Sequence, residues 1–326
     1  MEPLKAHSRQ SAQANDSDLE ATKESSFFER RDHRDLVVHG LLTGDLPLKF
    51  AYAGSAAFTH DVLARGAGYQ SVTGAVGYVR DALRKAGLED LSRIAEIGPG
   101  NGLSSLGLLE LARDAVTAPR EFLALDFSET LLGVARHNFA NHRDDLSFTG
   151  EIWDVEAGPT DFLRNWGQPR GPLPVLFLGN TIGNLADPAG ALRDILDSIL
   201  PSDVLFLGVT LRAGTAAELV APYETEVFHD AALEPLRSLG VDAWRLEMTW
   251  DEVSGAVVGT AVLREPRTVA DQDLPAGHRV RCFVSRRFAA DEAEALVEAA
   301  GGTVGAVTSS PSGEHLVLTV TKKRPR

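Results

Sequence analysis

The seven residues Glu96-Ile97-Gly98-Pro99-Gly100-Asn101-Gly102 constrain this chain more than any other stretch. An apolar run of strand type over 93–97 enters them, and a segment of helical period over 103–116 leaves them. A strand that turns into a helix through glycines belongs at the carboxyl edge of a parallel sheet, where the backbone bends sharply and stays open to a ligand. A glycine-rich turn alone is weak support, because many such turns merely join a strand to a helix. The rest of the chain has to supply the sheet.

It does so by alternation. Strand-type runs at 121–126, 146–153, 174–178 and 204–209 are interleaved with helical stretches, one through Leu131, Leu132 and Phe139 and another over 189–200. This repetition predicts a parallel sheet with right-handed crossovers. Between 211 and 277 the alternation stops. A helix around 216–223, a stretch with no assignable element and a hairpin of 243–250 with 256–263, turned at 251–255, are expected there. A strand over 280–288, a helix over 291–300 and a strand over 315–321 then restore the sheet. No internal repeat is visible. Ahead of the sheet, 1–34 is polar and aperiodic and reads as a disordered leader, and 35–86 reads as a small helical cap. The expected organisation is therefore a leader (1–34), the N-terminal part of a substrate domain (35–86), a ligand-binding core (87–210), a substrate-domain insertion (211–277) and a C-terminal portion completing the core (278–326).

The glycine spacing separates two kinds of nucleotide ligand. A dinucleotide site uses Gly-x-Gly-x-x-Gly with a helix N-terminus against the pyrophosphate. Here Gly98, Gly100 and Gly102 follow the acidic Glu96, an order suited to wrapping a nucleoside-linked amino acid, S-adenosylmethionine, rather than NAD. Asp126, at the end of the second strand, is placed to accept hydrogen bonds from both ribose hydroxyls. Its other use is as a helix N-cap, which Ser128 can also supply. Asp154, after the third strand, is placed near an adenine amine with Trp153 and Val155 beside it to sandwich the ring, or it begins a loop. The fold predicted is α/β, a class I (Rossmann-like) seven-stranded methyltransferase core with a smaller α+β substrate-binding domain. The reaction would leave S-adenosylhomocysteine.

Composition narrows the acceptor. With 32 basic and 46 acidic residues the formal charge is -14, which disfavours a nucleic-acid partner that must be met by clustered Lys and Arg. A small molecule is the expected substrate, and no metal is called for. The single cysteine, Cys282, excludes an intrachain disulfide and a cysteine-cluster zinc site, fits a reducing cytoplasm, and reads as a packed strand residue. No membrane partner is expected: the most apolar stretch, 172–185, is broken by Asn and Gly and falls short of the ~20 residues of a spanning helix. The N-terminus lacks the apolar segment of a secretory signal. Nothing separates a monomer from a homodimer.

The fourth strand ends in Phe177-Leu178-Gly179-Asn180-Thr181-Ile182-Gly183-Asn184-Leu185. This resembles the Leu-Gly-x-Thr-Ile-Gly-Asn signature of the histidine-specific methyltransferase family, which includes the enzyme that trimethylates the α-amine of histidine in ergothioneine biosynthesis and fungal relatives that N-methylate a prenylated tryptophan. Similar segments are Leu46-Pro47-Leu48-Lys49-Phe50 with Gly54-Ser55 and Phe58, Leu207-Gly208-Val209 running to Ala221-Pro222-Tyr223, and Arg281-Cys282-Phe283-Val284-Ser285-Arg286-Arg287-Phe288. The resemblance covers about residue 35 to the C-terminus.

It implies that Asn184 and Tyr223 hold the carboxylate and amine of a free amino acid, roles a side-chain amide and a phenol can fill without competing as nucleophiles. Asn180 is expected on the cofactor side. Tyr52 and Tyr69, 17 apart, stand for the two N-terminal tyrosines of the family pocket, although Phe50 matches the first equally well. Arg245-Leu246-Glu247-Met248 resembles an Arg-Ile-Glu-Met strand that sets Met248 against the substrate side chain, and Ser285 matches another pocket position. One departure stands out. Where the family has a glutamate for imidazole, in Arg-Thr-Glu-x-Ser, this chain has Phe283. A site that loses a hydrogen-bond partner rejects the ligand that needed it. The expected activity is N-methylation of a free amino acid or close derivative other than histidine, in specialised metabolism. A side-chain guanidine acceptor, served by Glu224, Glu226 or Glu247, an unrelated small molecule, and a non-catalytic partner that binds the cofactor are the alternatives.

Overall fold

In the computed structural model, which describes residues 27–66, 76–88, 92–111, 120–143, 145–167 and 171–323, the strand leading into the glycine turn is central. β1 (Arg93–Ile97) is buried along its whole length, which a strand covered on both faces requires. Even its first residue is enclosed: the Arg93 guanidinium donates to the carbonyls of Trp166, Gly167 and Gly171 at 2.6–2.8 Å.

β2 (Glu121–Asp126), β3 (Ser147–Ile152), β4 (Pro174–Phe177), β5 (Val204–Thr210), β11 (Gly302–Ser309) and β12 (His315–Lys322) join β1 in a seven-stranded sheet ordered β3-β2-β1-β4-β5-β12-β11. β1 to β5 are parallel, β12 runs antiparallel beside β5, and β11, antiparallel to β12, again runs in the direction of the first five. This is the expected class I methyltransferase core. The strand order reverses beside β1, between β2 and β4, so the ligand crevice opens at the carboxyl ends of those strands. One face of the sheet is covered by α7 (Pro188–Ser198) and α10 (Ala290–Ala299), the other by α3 (Val76–Lys85), α4 (Leu103–Leu111) and α5 (Glu129–His142). Local chemistry sets their starts: Ser128 accepts from the Leu131 amide to cap α5, and Asp187 accepts from Gly190 ahead of Pro188 to cap α7.

A second sheet of three antiparallel strands is built from β6 (Trp244–Asp251), β7 (Ala256–Leu263) and β10 (Arg279–Arg286) in the order β10-β7-β6. β8 (Arg267–Val269) and β9 (Gln272–Leu274) pair with each other between β7 and β10 in sequence, while α6 (Phe162–Gly167) follows β3 and α8 (Ala216–Val220) follows β5. The strand expected over 280–288 to rejoin the main sheet therefore belongs to the three-stranded one. The strand that completes the main sheet is β11, which the sequence reading missed. α1 (Arg31–Thr43), the 3-10 turn Leu48–Tyr52 and α9 (Glu226–Arg237), which fills the unassigned stretch, pack on the small sheet through Leu41, Phe50, Leu236, Leu246 and Val280. α9 begins at a Thr225 cap and runs through Pro235. α2 (Ser55–Arg65) lies between this unit and the core.

Of the segment expected as a leader, residues 27–34 are packed on the fold. Phe27 is 2% exposed, His33 is buried, and the backbone at Phe27 passes so close to Gly54 that a Cβ there would meet the Phe27 carbonyl oxygen at 1.8 Å. The remainder, 1–26, lies outside the described residues, as does Tyr69. Among the described residues no helix is long and apolar enough to cross a membrane.

Candidate active site

At the carboxyl end of β1, Gly98, Gly100 and Gly102 adopt φ of 66°, 58° and 75°, values that favour glycine. Their uses differ. A Cβ on Gly102 would lie 2.8 Å from the Phe139 ring, so this glycine lets α5 approach. Side chains on Gly98 and Gly100 would meet nothing closer than 3.5 and 3.7 Å. These are ordinary van der Waals distances to the side chains of Thr181 and His60, with no backbone crowding the two glycines.

Two carboxylates flank the turn. Glu96 is buried, accepts the Ser105 hydroxyl, and is pushed up to about 7, first by burial and then by the charge of Asp126. Asp126 is pushed up to about 6 by burial, although backbone amides of Ser128, Gly100 and Phe127 pull the other way. Among the described residues neither has a cation within 4.0 Å. Buried acids of this kind gain most from a ligand bringing hydroxyl and ammonium donors.

Residues before the core close over the glycine loop. Asn101 Nδ2 donates to Asp61 on α2 at 2.8 Å, and Arg65 on the same helix reaches Asn138 of α5. His60, one residue before Asp61, has its Nε2 3.7 Å from where a Cβ on Gly100 would lie and packs edge-on against Tyr52 with ring centroids 4.7 Å apart. Burial pushes His60 down to about 4. Glu29 accepts from Gly54 N, Ser128 Oγ, Glu129 N and Thr130 N, and so covers the start of α5 beside Asp126. Sequence reasoning missed both His60 and Glu29. The helical period of 55–65 was available for the first, while nothing local marks the second.

Asp154 does not stand free beside a ring. Its carboxylate pairs with Lys49 at 2.7 Å and accepts its own loop amide from Glu156. Trp153, expected to wall the adenine, is buried in the core and donates to the Gly158 carbonyl, so the proposed sandwich is not formed by it. Lys49 Nζ lies over the Phe127 ring, 5.4 Å from its centroid, and Phe127 stacks on His33.

On the other side of the crevice, the turn Thr181–Asn184 after β4 meets β10. A Cβ on Gly183 would sit 2.6 Å from the Arg286 carbonyl oxygen, which explains the glycine in that signature. Asn180 Nδ2 donates to Ser285 Oγ and Arg286 O, and its oxygen accepts the Thr210 amide. It ties β4, β5 and β10 together and spends its amide on protein. Asn184, with its amide nitrogen turned toward acceptors, donates to Asn180 O and Val284 O at 3.3 and 3.2 Å. The Tyr223 hydroxyl donates to Ser285 Oγ at 3.2 Å and accepts from Arg287. Asn180, Asn184, Tyr223 and Ser285 are thus brought together. Arg287, overlooked in sequence although it sits in the quoted 281–288 segment, is in the same cluster.

Phe283 is set by a β-bulge. The register slips between Arg281 and Phe283, so Cys282 and Phe283 are both buried in place of the usual alternation. Phe283 then packs against Tyr223 and Phe228, with centroids 5.0 and 4.9 Å apart. Met248 lies across from Gly259, whose Cβ would crowd both the Met248 sulfur and Phe283. Cys282 is buried with its thiol pushed up to about 12, in keeping with a packing role. Glu247 points away from Met248, to Arg245 and Arg279.

Residues 80–322 match the family described as histidine-specific methyltransferase, SAM-dependent. The chain belongs to that family. Its members being methyltransferases that use S-adenosylmethionine, this chain is a methyltransferase with the same cofactor, and the glycine turn with its two buried acids, which have no cation within 4.0 Å among the described residues, fits it. The family chain also shows similarity to three solved structures: a S-adenosylmethionine-dependent methyltransferase from Clostridium acetobutylicum (9% identity, 82% of this chain and 98% of the other, TM-score 0.46), the CcbJ methyltransferase from Streptomyces caelestis (12%, 78% and 90%, 0.43) and the sugar N-methyltransferase KedS8 from Streptoalloteichus (14%, 81% and 93%, 0.43). No protein of curated function matches it. Among the described residues no group of three or more His, Cys, Asp or Glu could hold a metal.

Proposed function

We propose that this methyltransferase N-methylates a free amino acid or close derivative other than histidine, a reaction suited to specialised metabolism. The observation that carries the reading is the junction of the Thr181–Asn184 turn with β10, where Asn184, Tyr223 and Ser285 gather next to Phe283 at the mouth of the sheet. The polar group matches the positions that fix an amino acid in the family. The aromatic group of Phe283, Tyr223 and Phe228 stands where an imidazole would need a carboxylate.

S-adenosylmethionine supplies an electrophilic methyl on a sulfonium. In this reading Glu96 and the backbone at Gly98 and Gly100 hold its amino-acid part, and Asp126 holds the ribose hydroxyls. The role proposed for Asp154 at the adenine is carried through the Lys49 pair, with Phe127 as the apolar surface beside it. Asn184 and Tyr223 orient the acceptor amine toward the cofactor, Tyr52 and Met248 bound its side chain, and the aromatic wall excludes water. A chain-terminal α-amine has an ordinary pKa of about 8 and that of a free amino acid lies higher beside its carboxylate, so the neutral fraction near pH 7 is small and a proton relay through a tyrosine such as Tyr223 serves the reaction. The guanidine alternative loses one of its candidate carboxylates, since Glu247 lies on the opposite face of β6 from Met248.

The test is incubation of the purified protein with S-adenosylmethionine and each common amino acid, followed by mass spectrometry for added methyl groups. A methylated product from at least one amino acid other than histidine is expected. No product from any of them, with cofactor binding intact, sinks the reading.

A further inference from the structure

We infer that Lys49 is a positioning residue that couples the two sides of the crevice: its ammonium, sent into the core from the turn Leu48–Tyr52, ties the loop after β3 to the turn after β4. The inference rests on the cofactor role proposed for Asp154 and holds for any acceptor. Lys49 Nζ donates to Asp154 Oδ2 at 2.7 Å and lies 3.4 Å from Glu156 Oε2. Glu156 Oε1 in turn accepts the Ala186 amide at 2.8 Å, two residues past Asn184. Three segments from separate parts of the chain therefore meet at one charge.

The ammonium is held from its own side. Leu48 and Phe50, its chain neighbours, are buried in the core of the small sheet, and Phe50 packs edge-on against Phe127 with centroids 5.7 Å apart. The same Phe127 ring lies under Lys49 Nζ and directly follows Asp126 in the chain. Side chains of Lys49, Asp154 and Glu156 are 21, 22 and 18% exposed, against 43–64% for surface pairs such as Arg30 with Asp32 and Arg267 with Glu265. Open pairs are screened and contribute little, whereas a pair with this little solvent keeps more of its attraction. Among the described residues no other basic group lies within 4.0 Å of Asp154 or Glu156, although Arg30 and His33 feel the Asp154 charge from farther off. Without Lys49 the two carboxylates lose their shared partner.

Asp154 spends Oδ1 on the Glu156 amide and Oδ2 on Lys49, so its position depends on both. A ligand shifts a conformational equilibrium only by binding one arrangement better than another. Here the arrangement that presents Asp154 is the one in which Glu156 holds Ala186, and with it the end of the turn carrying Asn184. Cofactor binding and ordering of the acceptor turn thus share one ammonium, and by reciprocity an ordered turn strengthens cofactor binding. Arg286, which donates to the Leu185 carbonyl at 3.3 Å, is a second tie on this turn and comes from β10.

The experiment is hydrogen–deuterium exchange of the full chain with and without saturating S-adenosylhomocysteine, for wild type, Lys49→Met, Lys49→Arg and Glu156→Ala. Cofactor affinity by calorimetry and the thermal midpoint are recorded for each protein. In wild type the ligand should slow exchange of peptides covering 46–53 and 181–190 about tenfold, besides protecting 96–102. Lys49→Met should lose the protection of both distant segments, keep that of 96–102 and bind the cofactor about tenfold more weakly. Lys49→Arg should retain the wild-type pattern, and Glu156→Ala should lose protection at 181–190 alone. These two carry the test should Lys49→Met fail to fold. Wild type without ligand protection at 181–190 overturns the inference, as does its persistence in Lys49→Met or Glu156→Ala. Loss at 96–102 together with the distant segments in these variants also overturns it, because Lys49 would then only support the fold. No acceptor enters these measurements, so their failure leaves the amino-acid reading standing, and the absence of any methylated amino acid leaves the coupling standing.

Discussion

The two sides of the crevice are built in different ways. The cofactor side is almost contiguous: one strand, one turn and the next strand's end place Glu96, Gly98, Gly100 and Asp126 within thirty-one residues of sequence. The proposed acceptor side draws Asn184, Tyr223, Met248, Phe283 and Ser285 from four separate elements, and side-chain hydrogen bonds to Ser285 from Asn180, Tyr223 and Arg287 tie part of it together. A local site depends on backbone shape and tolerates a changed neighbour. An assembled one depends on register, and the bulge at Cys282 is a single inserted residue that shifts which β10 side chains share a face. Change of acceptor with retention of cofactor is therefore the cheap direction for this architecture.

The largest effect that would sharpen this contrast is on the local side. Asp126→Ala should weaken S-adenosylhomocysteine binding about a hundredfold or more, because hydrogen bonds to an ionised carboxylate are lost. Calorimetry reads it directly, and a loss under threefold would detach Asp126 from the ribose. Asn184→Ala is the counterpart. It should lower turnover about a hundredfold through misplacement of the acceptor while cofactor affinity stays within threefold. Parallel loss of both would mean that the two sides are not separable.

Phe283→Glu tests whether the acceptor side can be turned back. A carboxylate among Phe228, Tyr223 and Gly259 should cost about 1–3 kcal/mol of stability through burial, visible as a lower thermal midpoint. Turnover of the preferred amino acid should fall, and histidine should become a measurable acceptor. A variant as stable as wild type and still blind to histidine would show that Phe283 does not line the pocket.

Cofactor affinity should also depend on pH in a way the acceptor side does not. Glu96 and Asp126 are held near 7 and 6 without a ligand, and the bound cofactor favours their ionised forms. Affinity should therefore fall as pH drops through that range, by up to about a hundredfold between pH 7.5 and 5.5, and be flat above it. The sign for stability is opposite. Folded-state values raised above the unfolded ones stabilise the cofactor-free protein at lower pH, and that contribution is lost as pH rises through 6 and 7. Glu96→Gln should flatten the upper part of both curves.

How much of this could be read in sequence follows the same division. The glycine turn, Asp126 and the alternation to β5 were legible because period and spacing are local properties. The small sheet was not: an apolar run at 279–286 states that a strand exists, but not which sheet it joins. β11 escaped because Gly302, Gly305 and alternating exposure leave no apolar run, and its strand character comes from pairing with β12. α9 was hidden by Pro235 within it. Phe283 was visible as a departure from a motif, whereas its bulge, its contact with Phe228 and the orientation of Arg287 arise only from packing.

Glu29 gives the smallest effect and the finest division between the two sides. Its carboxylate comes from ahead of the first helix, yet its four donors include three from the start of α5, directly after Asp126. Burial pushes Glu29 up, but the bonds from Ser128, Thr130 and Gly54 outweigh it and hold the group below its ordinary value. It acts as a cap supplied from a distance, worth about 1 kcal/mol as caps generally are. With a lowered value, that contribution is present at neutral pH and is lost as the solution is acidified through the carboxylate range. Glu29→Gln should thus lower the thermal midpoint slightly at pH 7, converge with wild type in acid, and weaken cofactor binding only a few-fold while KM for the amino acid holds. A larger shift in KM than in cofactor affinity would place this segment with the acceptor side.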